Sequence, residues 1–354
     1  MGVRIASVEV IPYALPFREP YATARGSLDR REMVLLRLRS SDGLMGLGEA
    51  VPLSLRGGAT LARVVGELEL LGELSELDEA SLSGGVANLS PPARCAAMTA
   101  LVDLRGRRAA AEGHSSPAAA EPVPCNATLV AAAPAAVAED ALRWAAEGFS
   151  TFKLKLGVGD DVGQVRAVRE AVGPAARIRI DANGVWSVAD AKRTLAALEE
   201  LDIELAEQPV ATLEEAAEVA AGTSIPIAGD ESIASRADAE RGAALGACEL
   251  AGLKLSKVGG PVEAIAIADV LPSYLSSALD GPAGIAAAAQ VAQTLRESAP
   301  EGGLGLAHGL ATQRLFSSTV ASVECELRDG MLHPPSGPGL GVEVDERALD
   351  HHRL

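Results

Sequence analysis

The sequence predicts an α/β protein, a modified TIM (β/α) barrel with an α+β capping domain formed by the N-terminal segment and the C-terminal tail. From about residue 91, helices alternate with short apolar strands, and eight such strands are present. The first 90 residues and the last 34 break this alternation with paired strands and turn residues. We therefore expect a capping domain at 1–90, a barrel at 91–320, and a tail at 321–354 that folds back onto the capping domain.

The N-terminal unit should contain three strands and a helix. The stretch RIASVEVIPYALP alternates apolar and polar residues, and EMVLLRLRSSDGLMGLGEA reads as two strands around the turn at Asp42 and Gly43. The stretch TLARVVGELELLGEL has apolar residues at helical spacing. These elements together predict a small α+β unit.

The barrel strands are short apolar runs with turn residues after them. In chain order they are VPCNATLV, STFKLKLG, RIRIDANG, IELAEQPV, IPIAGDES, LAGLKLSK, SYLSSALD and GGLGLAHG. The segments between them, such as DDVGQVRAVREAVG and SVADAKRTLAALEEL, carry an apolar stripe over a polar remainder. Such segments are typical of an outer ring of helices.

Composition disfavours two classes of partner. A chain of 354 residues with 48% apolar residues can bury a sizeable core. Its formal charge of −17 opposes non-specific binding to nucleic acid or to an anionic membrane. The four scattered cysteines form no CxxC pair, and the N-terminal segment lacks a signal-peptide pattern. We therefore expect a cytoplasmic protein with reduced thiols.

Two lysines stand on one face of a predicted strand in TFKLKLG. Side chains alternate along a strand, so Lys153 and Lys155 point the same way while Leu154 points the other way. On a solvated face this pair would be ordinary. Inside a barrel the two ammonium groups would be costly to bury, and they would need compensating charges.

Residues that could compensate these ammonium groups lie at the ends of the neighbouring predicted strands. The predicted strands from the second to the sixth end in a charged residue, at spacings of 23 to 26 residues: Lys155, Asp181, Glu207, Asp230 and Lys254. One β/α unit per step would bring all five to the carboxyl end of the barrel, where active sites of this architecture form.

The three acidic members of this set predict a metal site. Carboxylates that converge in a barrel repel one another, and a shared divalent cation keeps them ionised. Oxygen ligands from Asp181, Glu207 and Asp230, without histidine or cysteine, favour Mg²⁺ or Mn²⁺ over zinc.

Considered alone, each of these residues has a simpler interpretation. A DAN, EQP or DES triplet is more often a turn or a helix cap, and a lone lysine is usually solvated. Five charges in register favour a functional site, because the simpler interpretation must explain each strand end separately. Supporting positions around the site are expected for Lys153, Asn183, Glu231 and Lys257.

The motifs KLKLG, IDANG, EQP, GDES and LKLSKVGG, in this order and spacing, resemble the enolase superfamily and its muconate-lactonizing-enzyme-like subgroup. The likeness extends over nearly the whole chain. Racemases, cycloisomerases and dehydratases of this subgroup share the motif set. The stretches SSALDGPAGIAAAAQVAQTL and LAHGLATQRLF are most similar to the dehydratases.

The resemblance implies a lysine base, a carboxylate-bound Mg²⁺ and a small-molecule carboxylate substrate. It assigns the base to Lys155 and a facing catalytic role to Lys254. It also implies substrate contacts from capping-domain loops around PFREPYATARG and LSLRGGAT. Further expected substrate contacts come from five residues: Ser276, Ser277, Asp280, Arg25 and Arg56.

Two other functions compete with a dehydratase. A racemase or dipeptide epimerase would use the same five charges, with Lys254 as a second acid and base. A barrel kept only for binding or structure would be expected to lack a ligand or a base, and none is missing here. The sequence does not predict an oligomeric state.

Overall fold

The computed structural model describes residues 4–23, 26–54, 57–73, 84–114, 121–297 and 305–354. In the N-terminal part, three strands form an antiparallel sheet in the order β1 (Ile5–Thr23), β2 (Gly26–Ser40) and β3 (Met45–Ala50). Helices α1 (Leu61–Glu73) and α2 (Pro91–Ala111) pack on this sheet. Alanines of α2 and leucines of β2 form the core between them. The α+β unit that the sequence predicts is present.

Seven parallel strands form the barrel sheet, and they are hydrogen-bonded in chain order. They are β5 (Ala127–Leu129), β6 (Thr151–Lys155), β7 (Arg177–Asp181), β8 (Ile203–Glu207), β9 (Ile227–Gly229), β10 (Leu250–Leu253) and β11 (Ser273–Leu275). Helices between and after them are α3 (Pro134–Ala146), α4 (Asp161–Val172), α5 (Val188–Leu198), α6 (Leu213–Ala220), α7 (Arg236–Leu245), α8 (Leu255–Val258), α9 (Pro261–Ala268) and α10 (Pro282–Glu297). The predicted alternation is confirmed for seven of the eight expected strands. The eighth, GGLGLAHG, differs: its described residues form only single bridges, at His308 and Gly309.

The segment around His308 and Gly309 joins the two edges of this sheet. His308 forms a parallel bridge with Cys125, just before β5, and Gly309 forms one with Ser276, just after β11. The imidazole Nδ1 of His308 accepts a hydrogen bond from the Leu275 amide at 2.9 Å. Burial, followed by the charge of Arg179, lowers the pKa of His308 to about 3. This histidine is therefore neutral, and its hydrogen bonds help to close the barrel.

The C-terminal tail contributes small antiparallel sheets and a final helix. Its elements are β12 (Ala321–Val323), β13 (Glu326–Arg328), β14 (Met331–His333), β15 (Glu343–Val344) and α11 (Glu346–His352). Strand β14 also pairs with β4 (Val123–Pro124), which precedes the barrel sheet. The Leu354 amide donates to the Pro12 carbonyl at 3.0 Å, so the tail contacts strand β1. The exact domain boundaries remain predictions.

Another sequence expectation also differs from the structure. The stretch PFREPYATARG was expected to be a loop, but β1 continues through Thr23 and pairs with β2 beyond Tyr21. A register shift between Pro16 and Tyr21 interrupts the pairing around Pro20. Because proline cannot donate a ladder hydrogen bond, the irregularity falls where the prolines are and the hairpin resumes beyond them.

All four cysteines are buried free thiols. Among the described residues, no helix combines the length and the apolar character needed to cross a bilayer.

Candidate active site

The two lysines of β6 both lie inside the barrel. Phe152 and Leu154 pack outward in the main apolar core, which places Lys153 and Lys155 on the inner face. Lys153 is buried, with a side chain only 5% exposed, whereas the Lys155 side chain near the strand end is 27% exposed. The two lysines are therefore not ordinary solvent-facing residues. Of the two, Lys155 lies nearer the carboxyl end of the barrel strands.

Lys153 joins two of the predicted metal ligands. Its Nζ lies 2.6 Å from each carboxylate oxygen of Glu207 and 2.9 Å from Oδ2 of Asp181. Burial alone would lower the pKa of Lys153, but the charges of Asp181 and Glu207 raise it well above its usual value. This lysine stays protonated and neutralises charge deep in the barrel.

Lys155 contacts Asp181 from the outer side. Its Nζ lies 2.5 Å from Oδ2 of Asp181 and 3.0 Å from Oδ1 of Asn183. Burial would raise the pKa of Asp181, but Lys153 and Lys155 outweigh burial and hold it well below the usual range. Asn183 in turn donates to Glu231 at 3.1 Å, so the expected supporting residues Asn183 and Glu231 lie beside the site.

Two lysines contact Asp230 from the side of the barrel opposite β6. Lys254 and Lys257 both contact its carboxylate, and the Lys257 Nζ lies 2.9 Å from Oδ1. Strand β10 ends at Leu253, and the short helix α8 that follows turns Lys257 back toward Asp230. Lys254 and Lys155 thus approach the carboxylates from strands on opposite sides of the barrel.

The carboxylate set suits a hard divalent cation. Asp181, Glu207 and Asp230 are all almost completely buried, and one ammonium group already bridges two of them. In the described part of the chain, no three or more His, Cys, Asp and Glu side chains are grouped so that they could hold a metal ion, and lysine nitrogens contact each of these three carboxylates. Oxygen-only donors of this kind fit Mg²⁺ or Mn²⁺.

Backbone strain is concentrated at the ends of the barrel strands. Asn183, Gln208 and Leu279 have φ values of 48°, 40° and 68°, in the left-handed region that side chains rarely adopt. Each lies within a few residues of the end of a barrel strand. Such conformations are typical of functional sites, where the surrounding structure holds the strain.

Ser276, Ser277 and Asp280 lie just after β11 and are buried. The Ser277 hydroxyl donates to Asp280 at 2.8 Å and accepts the amides of Leu279 and Asp280. These bonds shape the segment after the strand, and the predicted substrate contacts of the three residues remain predictions. Arg25 and Arg56, which were expected to bind a substrate carboxylate, lie outside the described residues.

Sequence reasoning missed three residues that support the site. Gln208 accepts the amide of Asp230 at 2.8 Å and so positions a predicted ligand. Tyr274 donates its hydroxyl hydrogen to Glu207, and Arg179 lies over the Tyr274 ring. Strand alternation could have found Arg179, because it shares a face with Asp181 two positions later.

A barrel with convergent carboxylates and two facing lysines at its strand ends has the features of an enzyme active site that transfers protons. The chain belongs to the mandelate racemase and muconate lactonizing enzyme group of the enolase superfamily. Residues 5–112 match the mandelate racemase / muconate lactonizing enzyme N-terminal domain, and residues 136–348 match the enolase C-terminal domain-like family.

Relatives of two activities are similar to the chain. An o-succinylbenzoate synthase of Thermobifida fusca is 37% identical over 237 residues, which are 64% of this chain and 69% of the relative. A hydrophobic dipeptide epimerase of Enterococcus faecalis is 30% identical over 279 residues, 75% of this chain and 78% of the relative. The crystal structure of the dipeptide epimerase from Enterococcus faecalis, complexed with Mg and L-Leu-L-Tyr, has a TM-score of 0.85 and 26% identity, covering 97% of this chain and all of that one.

Proposed function

We propose that the protein is a Mg²⁺-dependent o-succinylbenzoate synthase. The reaction converts 2-succinyl-6-hydroxy-2,4-cyclohexadiene-1-carboxylate into 2-succinylbenzoate and water. The observation that carries the proposal is the placement of Lys155 and Lys254 on opposite sides of three buried carboxylates. This arrangement suits removal of a proton beside a substrate carboxylate.

Asp181, Glu207 and Asp230 would hold Mg²⁺, and Mn²⁺ would suit the same oxygen donors. A divalent cation bound there supplies positive charge that stabilises the negative charge developing on the substrate carboxylate. A relative supports this assignment, since the dipeptide epimerase of Enterococcus faecalis crystallised as a complex with Mg.

Lys155 is the proposed base because its amine is the more accessible of the β6 pair. It would act in its neutral form, with a divalent cation in place of its ammonium group beside Asp181. It would take the proton from the ring carbon that bears the carboxylate. The same amine would then return the proton to the departing hydroxyl, which leaves as water and makes the ring aromatic. Lys153 stays charged beneath it, and its charge favours the ionised forms of Asp181 and Glu207.

Lys254 would act as a cation that faces the substrate in the synthase reaction. In the alternative function, a racemase or dipeptide epimerase, it would exchange a second proton on the opposite face. The higher identity to the synthase relative and the synthase-like stretch SSALDGPAGIAAAAQVAQTL favour the dehydration. The epimerase stays as the second candidate because the same lysine pair would serve it.

The test compares wild-type protein with Lys155→Ala and Lys254→Arg in two assays. One assay follows dehydration of the cyclohexadiene, and the other follows α-proton exchange of an N-succinylamino acid and of a hydrophobic dipeptide in D₂O. We expect Lys155→Ala to lower dehydration by about 10²- to 10⁴-fold, the usual contribution of a general base.

Lys254→Arg keeps a cation that cannot act as a base at neutral pH. A synthase should therefore retain measurable dehydration in this variant. A two-base epimerase should lose epimerisation, because only Lys155 remains to exchange the α-proton, and it does so on one face of the substrate. Wild-type dehydration rates in Lys155→Ala, or exchange of a dipeptide without any dehydration, would overturn the proposal.

A further inference from the structure

Tyr274 is a buried aromatic residue inside the barrel whose hydroxyl contacts a predicted metal ligand. It lies on β11 with no exposed surface, in a small interior cluster with Leu205 and Leu250. Its hydroxyl donates to Oε2 of Glu207, a residue 67 positions earlier in the chain and three strands away in the sheet. The tyrosine therefore spans the barrel interior.

Two neighbours shape the space that the ring occupies. Gly252 pairs with Tyr274 across β10 and β11, and a Cβ at this glycine would lie 3.0 Å from the tyrosine oxygen and 3.2 Å from Cζ. A larger residue there would push the hydroxyl away. On another side, the Arg179 guanidinium carbon lies 4.9 Å from the ring centroid. These contacts hold the hydroxyl at Glu207.

The hydroxyl is also chemically suited to support a cation ligand. Glu207 is held by Lys153 and by Tyr274, but only the lysine brings a positive charge. A tyrosine hydroxyl is an uncharged hydrogen-bond donor at neutral pH. A neutral donor orients the carboxylate and leaves its charge for a bound cation.

We propose that Tyr274 is a positioning residue of the metal site, which orients Glu207 for a divalent cation through its hydroxyl hydrogen bond. This inference rests on the proposed function, because it takes Glu207 as a ligand. Partners that orient metal ligands are commonly worth about 10- to 100-fold in metal affinity.

The test measures Mn²⁺ binding directly, from the loss of the free-ion signal in electron paramagnetic resonance. We expect Tyr274→Phe to raise the Mn²⁺ Kd by about 10- to 100-fold relative to wild type. Tyr13→Phe is the matched control, because Tyr13 is equally buried and donates at 2.9 Å to another buried glutamate, Glu49. The Mn²⁺ Kd of Tyr13→Phe should stay within about twofold of the wild-type value, since Tyr13 lies at the capping-domain interface.

A second variant covers the case in which Tyr274→Phe fails to fold. Gly252→Ala keeps the hydroxyl but displaces it, and it should also weaken Mn²⁺ binding by several-fold. Unchanged Mn²⁺ affinity in the folded Tyr274→Phe or Gly252→Ala variant, or equal weakening in Tyr13→Phe, would refute the role of Tyr274. A wild-type protein that binds no Mn²⁺ would instead refute the metal site of the proposed function.

Discussion

At the scale of single residues, the site is a set of buried charges that compensate one another. Each predicted ligand contacts at least one lysine, and Lys153, Lys155, Lys254 and Lys257 supply the ammonium groups. Removing one partner of a buried ion pair commonly costs several kcal/mol, because the other charge is left uncompensated. Conservative substitutions that keep a hydrogen bond are therefore the sharpest probes of this site.

Asp230→Asn is expected to abolish Mg²⁺-dependent activity and to keep the fold. The amide oxygen can still accept a hydrogen bond from an ammonium group, but the variant loses the charge that a divalent cation requires. Turnover and far-ultraviolet circular dichroism measure the two effects. Asp160→Asn is the control, because Asp160 is an exposed cap of α4 that accepts the Gly163 amide. Full activity of Asp230→Asn in the presence of a chelator would contradict the assignment of this ligand.

At the scale of elements, the capping unit depends on close contact between a strand and a helix. Strand β3 carries Gly46 and Gly48, which face the backbone of α2. A Cβ on Gly48 would lie 1.9 Å from the Ala96 carbonyl oxygen, far inside contact distance. The glycines thus let α2 approach β3, and the alanines of α2 fill the interface.

Gly48→Ala should therefore destabilise the protein. Overpacking a buried contact typically costs about 1–3 kcal/mol, and this clash involves backbone that cannot move aside easily. Gly66→Ala is the matched control, since Gly66 lies within α1 and a Cβ there meets open space. The control should gain up to about 1 kcal/mol from helix propensity. Equal unfolding free energies for the two variants in urea would show that β3 and α2 are not in close contact.

A second element-scale prediction concerns Glu49, which joins the capping unit to α10. Glu49 accepts the Gly281 amide at 2.6 Å and the Tyr13 hydroxyl at 2.9 Å. Burial, followed by the charge of Asp280, raises the pKa of Glu49 from 4.5 to about 8. The folded state thus binds a proton that the unfolded state releases, and the stability from this group is complete below pH 4.5 and is lost as pH rises through 8.

Glu49→Gln removes this titration while keeping a similar shape. Its Tm should rise above that of wild type as pH increases from about 5 to about 8.5, by a few degrees at the upper end. Calorimetry across this range measures the difference, with exposed Glu326 replaced by glutamine as control. A constant difference in Tm between Glu49→Gln and wild type across the range would argue against ionisation of Glu49 in the folded protein.

At the scale of the whole molecule, the seven parallel strands of the barrel pair in chain order. The bridges at His308 and Gly309 close the sheet. The site residues come from β6 through β11, so folding of nearly the entire sheet is needed to assemble them. A ligand that binds only this assembled site must stabilise the whole fold by mass action.

Mg²⁺ at about 100 times its Kd should raise the unfolding free energy by about 2.7 kcal/mol, which appears as an increase of a few degrees in Tm. A chelator should reverse the increase. Thermal denaturation at matched ionic strength with NaCl separates specific binding from screening of the −17 net charge. Asp230→Asn should show no specific increase. An identical increase in the Tm of Asp230→Asn would mean that Mg²⁺ binds elsewhere. No increase in the Tm of the wild-type protein would exclude Mg²⁺ binding.

The sequence by itself predicted the architecture and which strand ends carry the charged residues. Helix and strand periodicity set the order of elements, and a repeat of 23 to 26 residues per β/α unit locates Lys155, Asp181, Glu207, Asp230 and Lys254. Alternation within β6 also predicted that Lys153 shares a face with Lys155. These are local regularities, so one chain segment at a time suffices to read them.

Only the tertiary structure showed which distant side chains meet. The contact of Tyr274 with Glu207 depends on the curvature of the sheet and on the missing side chain at Gly252. The use of Gln208 to hold the Asp230 amide depends on a left-handed backbone that no local pattern in EQP requires. The first contact joins strands three apart in the sheet, and the second joins the ends of the neighbouring strands β8 and β9. Such distances are set by the packing of the complete sheet, whereas sequence periodicity reports only which face a residue occupies.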